Sequence, residues 1–326
     1  MRHIRAALRS LTLGNESHFR NLTIFPLLSH TAASPDYLTL DAALAHGGAR
    51  IREISSEGEV EALRFINPSP LPVLICDGQE LVGARQDRMI NVTVLAPAAA
   101  ALTLPVCCVE SGRWSPQRKT LHSADRTQFA GGRRTRNAAV SAALRSTGTR
   151  VVDQYAVWAD INAKSARMNV DSPTGAMADI FIQHTDQLDE FVAALEPLPM
   201  QVGAVFAIDK RIEGLELFDS PETLAAMLPK LVRSYAIDAL ESATEDRSHA
   251  SRTQANAFLR KIWTAHEEHY PGIGLGEELR VAGRDVVGGG LVLEEKLLHL
   301  AAFAQPERTG DDTHITHINL ARLRNK

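Results

Sequence analysis

Side chains suited to acid–base chemistry or anion binding are concentrated in residues 72–95, between two apolar runs. Carboxylates can exchange protons with a substrate, whereas arginine donates paired hydrogen bonds to phosphate or carboxylate groups. Charged residues rarely enter a sheet core unpaired, so these side chains are expected to line a cleft, pair together or face solvent. The candidate ligand-binding residues are Asp77, Gln86, Arg88 and Asn91, and the candidate catalytic residue is Glu80.

This stretch also has a simpler interpretation, in which it forms a solvated hairpin. Glu80 would then pair with Arg88 at the surface, and an Asp77–Arg85 pair would serve equally. Exposed ion pairs of this kind contribute little to stability and need no ligand. The sequence leaves both interpretations open.

A second polar group, Glu110, Arg113 and Trp114, directly follows the apolar run 102–109. The arginine fork matches a phosphate or carboxylate, and the indole face can stack on a base or ribose. Arg113 and Trp114 are therefore candidate ligand-binding residues for a nucleotide or sugar phosphate, and Glu110 is a second candidate catalytic residue. The alternative is that Arg113 pairs with Glu110 and covers the tryptophan without any ligand.

The cysteines and histidines give weaker indications of a catalytic or metal-binding site than these polar groups do. A thiol nucleophile needs a base or a cationic setting, and the sequence identifies no such partner for Cys108. His266 and His269 lie three residues apart, which is not the four-residue spacing of a zinc-protease helix. No third ligand is evident beside them, so the sequence predicts no metal site and leaves the cofactor open.

Composition narrows the class of protein. The formal net charge of −4 argues against a nucleic-acid partner, and the basic cluster at 133–136 is expected to be a solvated loop. Three cysteines suit a reducing compartment rather than a disulfide framework. The absence of a signal peptide and of a long apolar run predicts a cytoplasmic protein without a membrane span. The oligomeric state is left open.

Periodicity predicts an α+β fold with a β-rich N-terminal half, a sheet or sandwich, over residues 1–114. Residues 115–150 are rich in Arg, Ser, Thr and Gly and are expected to be a flexible connection. Residues 151–304 show helical periodicity, with a hairpin over 202–208 and 211–218 and terminal strands. Helices are expected over 173–195, with Ser172 as the N-cap, and over 252–269. A further helix is expected after Ser220 and Pro221, with Ser220 as its cap and an apolar stripe at Leu224, Leu228, Leu231, Tyr235 and Ala239. Residues 305–326 are expected to be a polar tail.

Pairing of the predicted strands at 73–84, 90–95 and 102–109 would bring the two polar groups to one end of a sheet. Convergence in one concave pocket would favour an enzyme or a ligand-binding domain for a nucleotide-derived small molecule. Dispersal over a convex surface would favour a non-catalytic interaction or structural module. The sequence does not decide between these two classes of protein.

Several segments together resemble the family of ARG and rhodanese-phosphatase-superfamily-associated protein domains. They are DGQELVGARQDRMINVTVL (77–95), PVCCVESGRW (105–114), SPTGAMADI (172–180), EPLPMQVGAVFAI (196–208), GLELFDSPETL (214–224), KLVRSYAIDALE (230–241) and YPGIGLGEELR (270–280). The resemblance implies no defined activity. The family name records association with ADP-ribosylglycohydrolases and rhodanese-phosphatases, which implies a ligand related to ADP-ribose or NAD.

Overall fold

The order of helices and strands follows the α+β pattern that the sequence predicts, and the fold class is confirmed. The computed structural model describes residues 2–31, 34–55, 57–115, 120–242 and 248–306. The helices are α1 (Arg2–Arg9), α2 (Leu40–Ala45), α3 (Ala130–Thr147), α4 (Gln154–Arg167), α5 (Met177–Gln183), α6 (Thr185–Ala194), α7 (Pro221–Glu241) and α8 (Arg252–Thr264). The strands are β1 (Leu11–Leu13), β2 (Ser17–Phe19), β3 (Leu22–Ser29), β4 (Leu38–Thr39), β5 (Arg50–Glu53), β6 (Ala62–Asn67), β7 (Val73–Ile75), β8 (Gln79–Gly83), β9 (Arg88–Ile90), β10 (Val94–Ala96), β11 (Ala100–Cys108), β12 (Leu121–Thr127), β13 (Gln201–Ile208), β14 (Arg211–Phe218), β15 (His266–Pro271), β16 (Glu277–Ala282), β17 (Val286–Leu293) and β18 (Lys296–Ala304).

The largest sheet is built from both ends of the chain. Its nine strands include the path β1-β3-β13-β14-β18-β17-β16-β15, with β2 paired to β3. The predicted hairpin over 202–208 and 211–218 is confirmed, because β13 and β14 pair antiparallel. Every residue of β13 is buried, which is expected of a strand whose two faces are both covered. Other elements must therefore lie on each side of this sheet.

The second β unit is a closed barrel with the strand order β11-β6-β5-β12-β8-β9. β11 pairs with β6 over its first part and with β9 over its last three residues, and this double pairing closes the barrel. Closure removes the unpaired edges that an open sheet would expose. A three-stranded sheet, in the order β10-β7-β4, adjoins the barrel through β10 and β11.

Two helices lie between the sheet and the barrel. α7 packs against β13 of the sheet and β12 of the barrel, and α3 packs against β17 and β18. α1 and α8 contact one another and cover the other face of the sheet. One hydrophobic core therefore extends from the barrel to the near face of the sheet, and a second core lies beneath α1 and α8.

Residues 115–150, which were expected to form a flexible connection, contribute β12 and α3 to this arrangement. β12 pairs with β8 and β5, so the barrel extends past residue 114. The prediction of a solvated loop at 133–136 is wrong, because Arg133 and Arg136 are buried on α3. Carboxylates from distant segments neutralise these arginines, which permits a polar helix face to be buried. The mobility of this segment stays a prediction, and residues 116–119 lie outside the described residues.

Two predicted helices have different bounds in the structure. The helix expected over 173–195 begins only at Met177 and is divided at His184 into α5 and α6. The helix expected over 252–269 ends at Thr264, and the chain continues as β15, which pairs antiparallel with β16. Most of the expected polar tail, residues 307–326, lies outside the described residues. No helix in the described ranges is both long and apolar enough to cross a membrane.

Candidate functional site

The two polar motifs meet because of the way in which the barrel closes. β9 and β11 pair antiparallel with Arg88 opposite Cys108. The residues just before β9 therefore lie beside those just after β11. Asp87 precedes β9 and Glu110 follows β11, and the backbone N–H of Asp87 donates to Oε2 of Glu110 at 3.2 Å. Strand register thus brings together polar groups that are distant in the sequence.

Arg113 is held by these two carboxylates. Its Nε donates to Oε2 of Glu110 at 2.8 Å, and its Nη2 donates to Oδ1 of Asp87 at 3.0 Å. Its Nη1 donates to the carbonyl oxygens of Ala84 at 2.9 Å and Ser115 at 3.2 Å. Burial would lower the pKa of Arg113, but its bonds to Glu110 raise that pKa overall. The Arg113–Glu110 pair is therefore formed, and each guanidinium nitrogen has a protein partner.

An open cleft of about 590 Å³ borders this cluster. One wall comes from the barrel and the other from the segment leading into α5, where Glu110 forms an isolated β-bridge with Ala176. Ionisable side chains of both signs line the cleft, namely Asp87, Glu110, Arg113, His122, Asp125, Arg126 and Asp179. The cleft is therefore a mixed-charge concave surface.

Glu80 lies behind the wall of the cleft and is fully buried. Its Oε2 accepts a hydrogen bond from Nε of Arg126 at 2.5 Å, and Nη1 of Arg126 donates to Asp125 at 3.3 Å. Burial raises the pKa of Glu80, and the charge of Arg126 opposes that rise. Within the described residues, Nη2 of Arg126 forms no hydrogen bond. Glu80 therefore does not line the cleft itself but holds the side chain of Arg126, which does.

Asp87 is a carboxyl of the cleft whose pKa is raised by its surroundings. Burial raises its pKa, against the effects of the Gly83 backbone N–H and of Arg113. The Gly83 N–H donates to Oδ1 of Asp87 at 3.0 Å. A carboxyl with a raised pKa at the edge of a cleft is suited to proton transfer. Glu80 and Glu110 were the residues predicted for that role from the sequence, and Asp87 was not among them.

Gln86, Arg88 and Trp114 form a separate cluster beside the cleft rather than within it. Trp114 is 44% exposed, and the guanidinium carbons of Arg85 and Arg88 lie 5.7 and 5.4 Å from its ring centroid. Arg88 is fully buried, and its Nη1 donates to Oε1 of Gln86 at 3.3 Å. The exposed indole therefore covers arginine side chains, and these three residues do not converge with Arg113 on the cleft.

Asp77 belongs to a buried polar network between the barrel and the sheet. Its Oδ2 accepts from Nη2 of Arg136 and Nδ2 of Asn137, both at 3.2 Å. Arg133 lies 3.4 Å from Oδ1 of Asp77 and 2.5 Å from Oε1 of Glu216. Burial alone would raise the pKa of Asp77, but Arg133 and Arg136 lower it well below its usual range. The network joins the β7–β8 turn, α3 and β14. Because Asp77 is buried in it, the interpretation of this stretch as a solvated hairpin is wrong.

Asn91 and the cysteines also lie in the interior. Nδ2 of Asn91 donates to the carbonyl oxygen of Arg150 at 3.1 Å. Burial raises the pKa of Cys107 to about 11 and that of Cys108 to about 12. Both residues are therefore protonated thiols at neutral pH, and a thiolate nucleophile at Cys108 is not supported.

Besides Asp87, four ionisable residues of the cleft are not among the candidates drawn from the sequence, namely His122, Asp125, Arg126 and Asp179. His122 and Arg126 lie on β12, whose sequence LHSADRT contains only two apolar residues and lacks a strand pattern. Asp179 lies on α5, in a segment noted for its helical periodicity and for the family resemblance, neither of which indicates a site residue. A polar strand shows no alternation of apolar residues, so periodicity does not reveal β12. Its polar composition led to its inclusion in the flexible connection predicted over residues 115–150.

Comparison with known proteins identifies a family but no relative of known function. A family model for the ARG and rhodanese-phosphatase-superfamily-associated protein domain matches residues 10–303. No curated protein and no solved structure matches the chain. The matched range includes the barrel, the whole of the cleft and nearly all of the large sheet. The chain therefore belongs to the family of ARG and rhodanese-phosphatase-superfamily-associated protein domains.

Proposed function

We propose that the protein binds a nucleotide-derived small molecule, of the ADP-ribose or NAD-related class, in the cleft beside Glu110. One observation carries this proposal. Asp87 and Glu110, from the two polar motifs, converge on a single concave surface that Arg126 also lines. A concave site with a few convergent polar groups is the usual form of a small-molecule site. The ligand class is supported only by the association that the family name records.

The ligand's phosphate group is assigned to Arg126 rather than to Arg113. The five N–H groups of Arg113 are directed to Glu110, Asp87, Ala84 and Ser115, so it acts as a positioning residue. Arg126 lines the cleft and retains Nη2 for a charge-assisted bond to phosphate. Because charge-assisted bonds contribute about 1.5–3 kcal/mol each, Arg126 is the arginine whose loss should weaken binding most.

The cleft carboxylates would bind the ribose. Asp87 and Glu110 present oxygens that can accept hydrogen bonds from ribose hydroxyls. If the bound molecule is also processed, Asp87 is the proposed acid or base, because burial raises its pKa. Glu80 then serves to hold Arg126, and Trp114 is not required for binding.

The alternative is a non-catalytic interaction or structural module. The specific observation in its favour is that Arg113 is satisfied within the protein by its pairs with Glu110 and Asp87. A structural module would keep its cleft for packing or for a protein partner and would show no selective stabilisation by nucleotides.

A thermal-shift series with NAD, ADP-ribose, AMP and ribose 5-phosphate tests the proposal. A ligand present at about 100 times its Kd stabilises the native state by about 2.7 kcal/mol, which raises the melting temperature. The cleft variant is Arg126→Met combined with Glu80→Gln, which neutralises both members of the pair and leaves no buried charge alone. This double variant should fold and lose the ligand-induced shift.

The matched control is Arg134→Met combined with Glu213→Gln. This pair, 3.3 Å apart, lines a different cleft of about 560 Å³ beside Lys210, Arg211 and Lys261. The control should keep the full ligand-induced shift. No shift of the wild-type protein with any of the four compounds would support the structural module. If only the control variant lost the ligand-induced shift, the ligand would be assigned to this second cleft instead.

A further inference from the structure

A compact group of metal-ligand side chains lies far from the cleft, where α1 meets the edge strand β15. Strand alternation places Glu267 and His269 on one face of β15, and the first turn of α1 brings His3 beside them. Oε2 of Glu267 lies 3.5 Å from Nε2 of His269 and 3.8 Å from Nδ1 of His3. The three ligand atoms all lie within 4.8 Å of one another.

Each imidazole also faces a second carboxylate through its other nitrogen. Nδ1 of His269 lies 3.1 Å from Glu277, and Nε2 of His3 lies 3.8 Å from Glu295. Metal-binding histidines almost always direct their second ring nitrogen to such a partner, which fixes the tautomer and the ring orientation. The Nδ1 of His3 is buried and forms no hydrogen bond within the described part of the chain.

The position of Glu267 is fixed by α1. Its Oε1 accepts a hydrogen bond from the backbone N–H of Ile4 at 3.3 Å, and its Oε2 lies against the two rings. The side chain of Glu267 is 1% exposed, whereas those of His3 and His269 are 14% and 29% exposed. The two partly exposed imidazoles beside this buried carboxylate give solvent access for an additional water ligand.

We propose that His3, Glu267 and His269 bind a divalent transition-metal cation of the Zn²⁺ class. Two histidines and one glutamate, with a water in the fourth position, are an established tetrahedral donor set for zinc. Zinc–nitrogen and zinc–oxygen bonds of about 2.0–2.2 Å place tetrahedral ligand atoms about 3.3 Å apart. The separations of 3.5 and 3.8 Å therefore require closure by about half an ångström or less. The ligand atoms of the two rings, at most 4.8 Å apart, require closure by up to about 1.5 Å. The metal would fasten α1 to the edge of the large sheet.

The third ligand explains why this site is absent from the sequence-based expectations. The short separation of His266 and His269 along the chain suggested these two histidines as a pair of ligands. In an extended strand, residues three positions apart point to opposite faces, so His266 cannot join His269. The additional ligands are Glu267, two residues before His269, and His3, which comes from the opposite end of the chain.

The test is a Zn²⁺ titration of the full chain, purified without a histidine tag and treated with a chelator. Affinity and stoichiometry are measured by calorimetry against a competing chelator, and bound metal is measured by elemental analysis. The wild-type protein should bind one tight equivalent. His3→Ala, Glu267→Gln and His269→Ala should each weaken that equivalent by at least about tenfold, and Glu277→Ala, which removes an outer partner, by about tenfold.

His266→Ala is the matched control, since His266 is exposed on the other face of the same strand. It should retain the wild-type affinity. The chain contains twelve histidines, so a tight equivalent that survives in His269→Ala would lie elsewhere and would overturn the proposal. Absence of tight binding to the wild-type protein would overturn it as well. Thermal melting of each variant without metal shows whether that variant is folded. If His3→Ala does not fold, His269→Ala still provides the test, because the side chain of His269 is partly exposed and its loss is expected to leave the fold intact.

Discussion

At the residue scale, the buried arginines are the most consequential feature of the molecule. Arg133 is 1% exposed, and its guanidinium is held between Asp77 and Glu216. Burial would lower the pKa of Arg133, but these two carboxylates raise it overall, so the residue stays charged. A charge of this kind is tolerated in the interior only while its partners remain in place.

We expect Arg133→Met to destabilise the protein by about 3–5 kcal/mol, because the change leaves Asp77 and Glu216 without their shared cation. Urea unfolding followed by circular dichroism measures the free energy of unfolding. Arg134→Met is the control, since Arg134 is partly exposed and its pair with Glu213 is worth at most about 1 kcal/mol. Equal effects of the two substitutions would show that Arg133 does not hold the network.

The sequence predicted polar partners only where they are close in the chain. The Glu110–Arg113 pair spans three residues, so its alternatives could be named in advance. The partners of Asp77 and Glu80 come from α3 and β12. Residue types alone do not reveal which distant cation will neutralise a buried carboxylate, because that choice depends on how the elements pack.

At the element scale, α7 and α3 show what periodicity can and cannot predict. The apolar stripe of α7 and its Ser220 cap were expected, and the Ser220 hydroxyl accepts from the N–H groups of Glu222 and Thr223. α3 has the same helical spacing on its buried face, but that face includes the polar residues Arg133, Arg136 and Asn137. A search for apolar repeats does not detect a face that is buried through charge pairing.

For α7 we expect Leu228→Ala to destabilise the protein by about 2–5 kcal/mol, because the side chain is 1% exposed and its loss leaves a cavity. Denaturant unfolding measures the change. Leu198→Ala is the control, since Leu198 is 42% exposed, and it should cost less than about 0.5 kcal/mol. A cost for Leu228→Ala as small as that of the control would mean that α7 does not pack as described.

At the scale of the whole molecule, the long-range pairing of strands lies beyond sequence patterns. β3 pairs with β13, and the same sheet continues through β14 to β18. Strands from the two ends of the described chain therefore share one sheet. The sequence predicted strands at both places and divided them between two regions. Local patterns specify that a segment is a strand, whereas its neighbour in the sheet is determined by closure of the whole core.

The network around Asp77 connects these regions, and it predicts how the molecule responds to acid. Asp77 lies in the turn between β7 and β8, and its cationic partners are on α3, which continues the network to Glu216 on β14. The pKa of Asp77 is lower in the folded state than its value of about 3.9 in an unfolded chain. The unfolded chain therefore binds the proton first, and stability falls as pH falls.

We expect the contribution of Asp77 to be complete above about pH 5 and to be lost progressively as pH falls below about 4. Asp77→Asn should be less stable than wild type near neutral pH by about 1–3 kcal/mol, since Arg136 loses its carboxylate partner. The difference between the two proteins should shrink with acidification, because protonation removes the same charge from the wild type. Urea unfolding at a series of pH values measures both slopes, and the other titrating groups cancel in the comparison. Because the network joins barrel and sheet, both should unfold in one transition at each pH. A difference that stays constant across the acid range would mean that folding does not lower the pKa of Asp77.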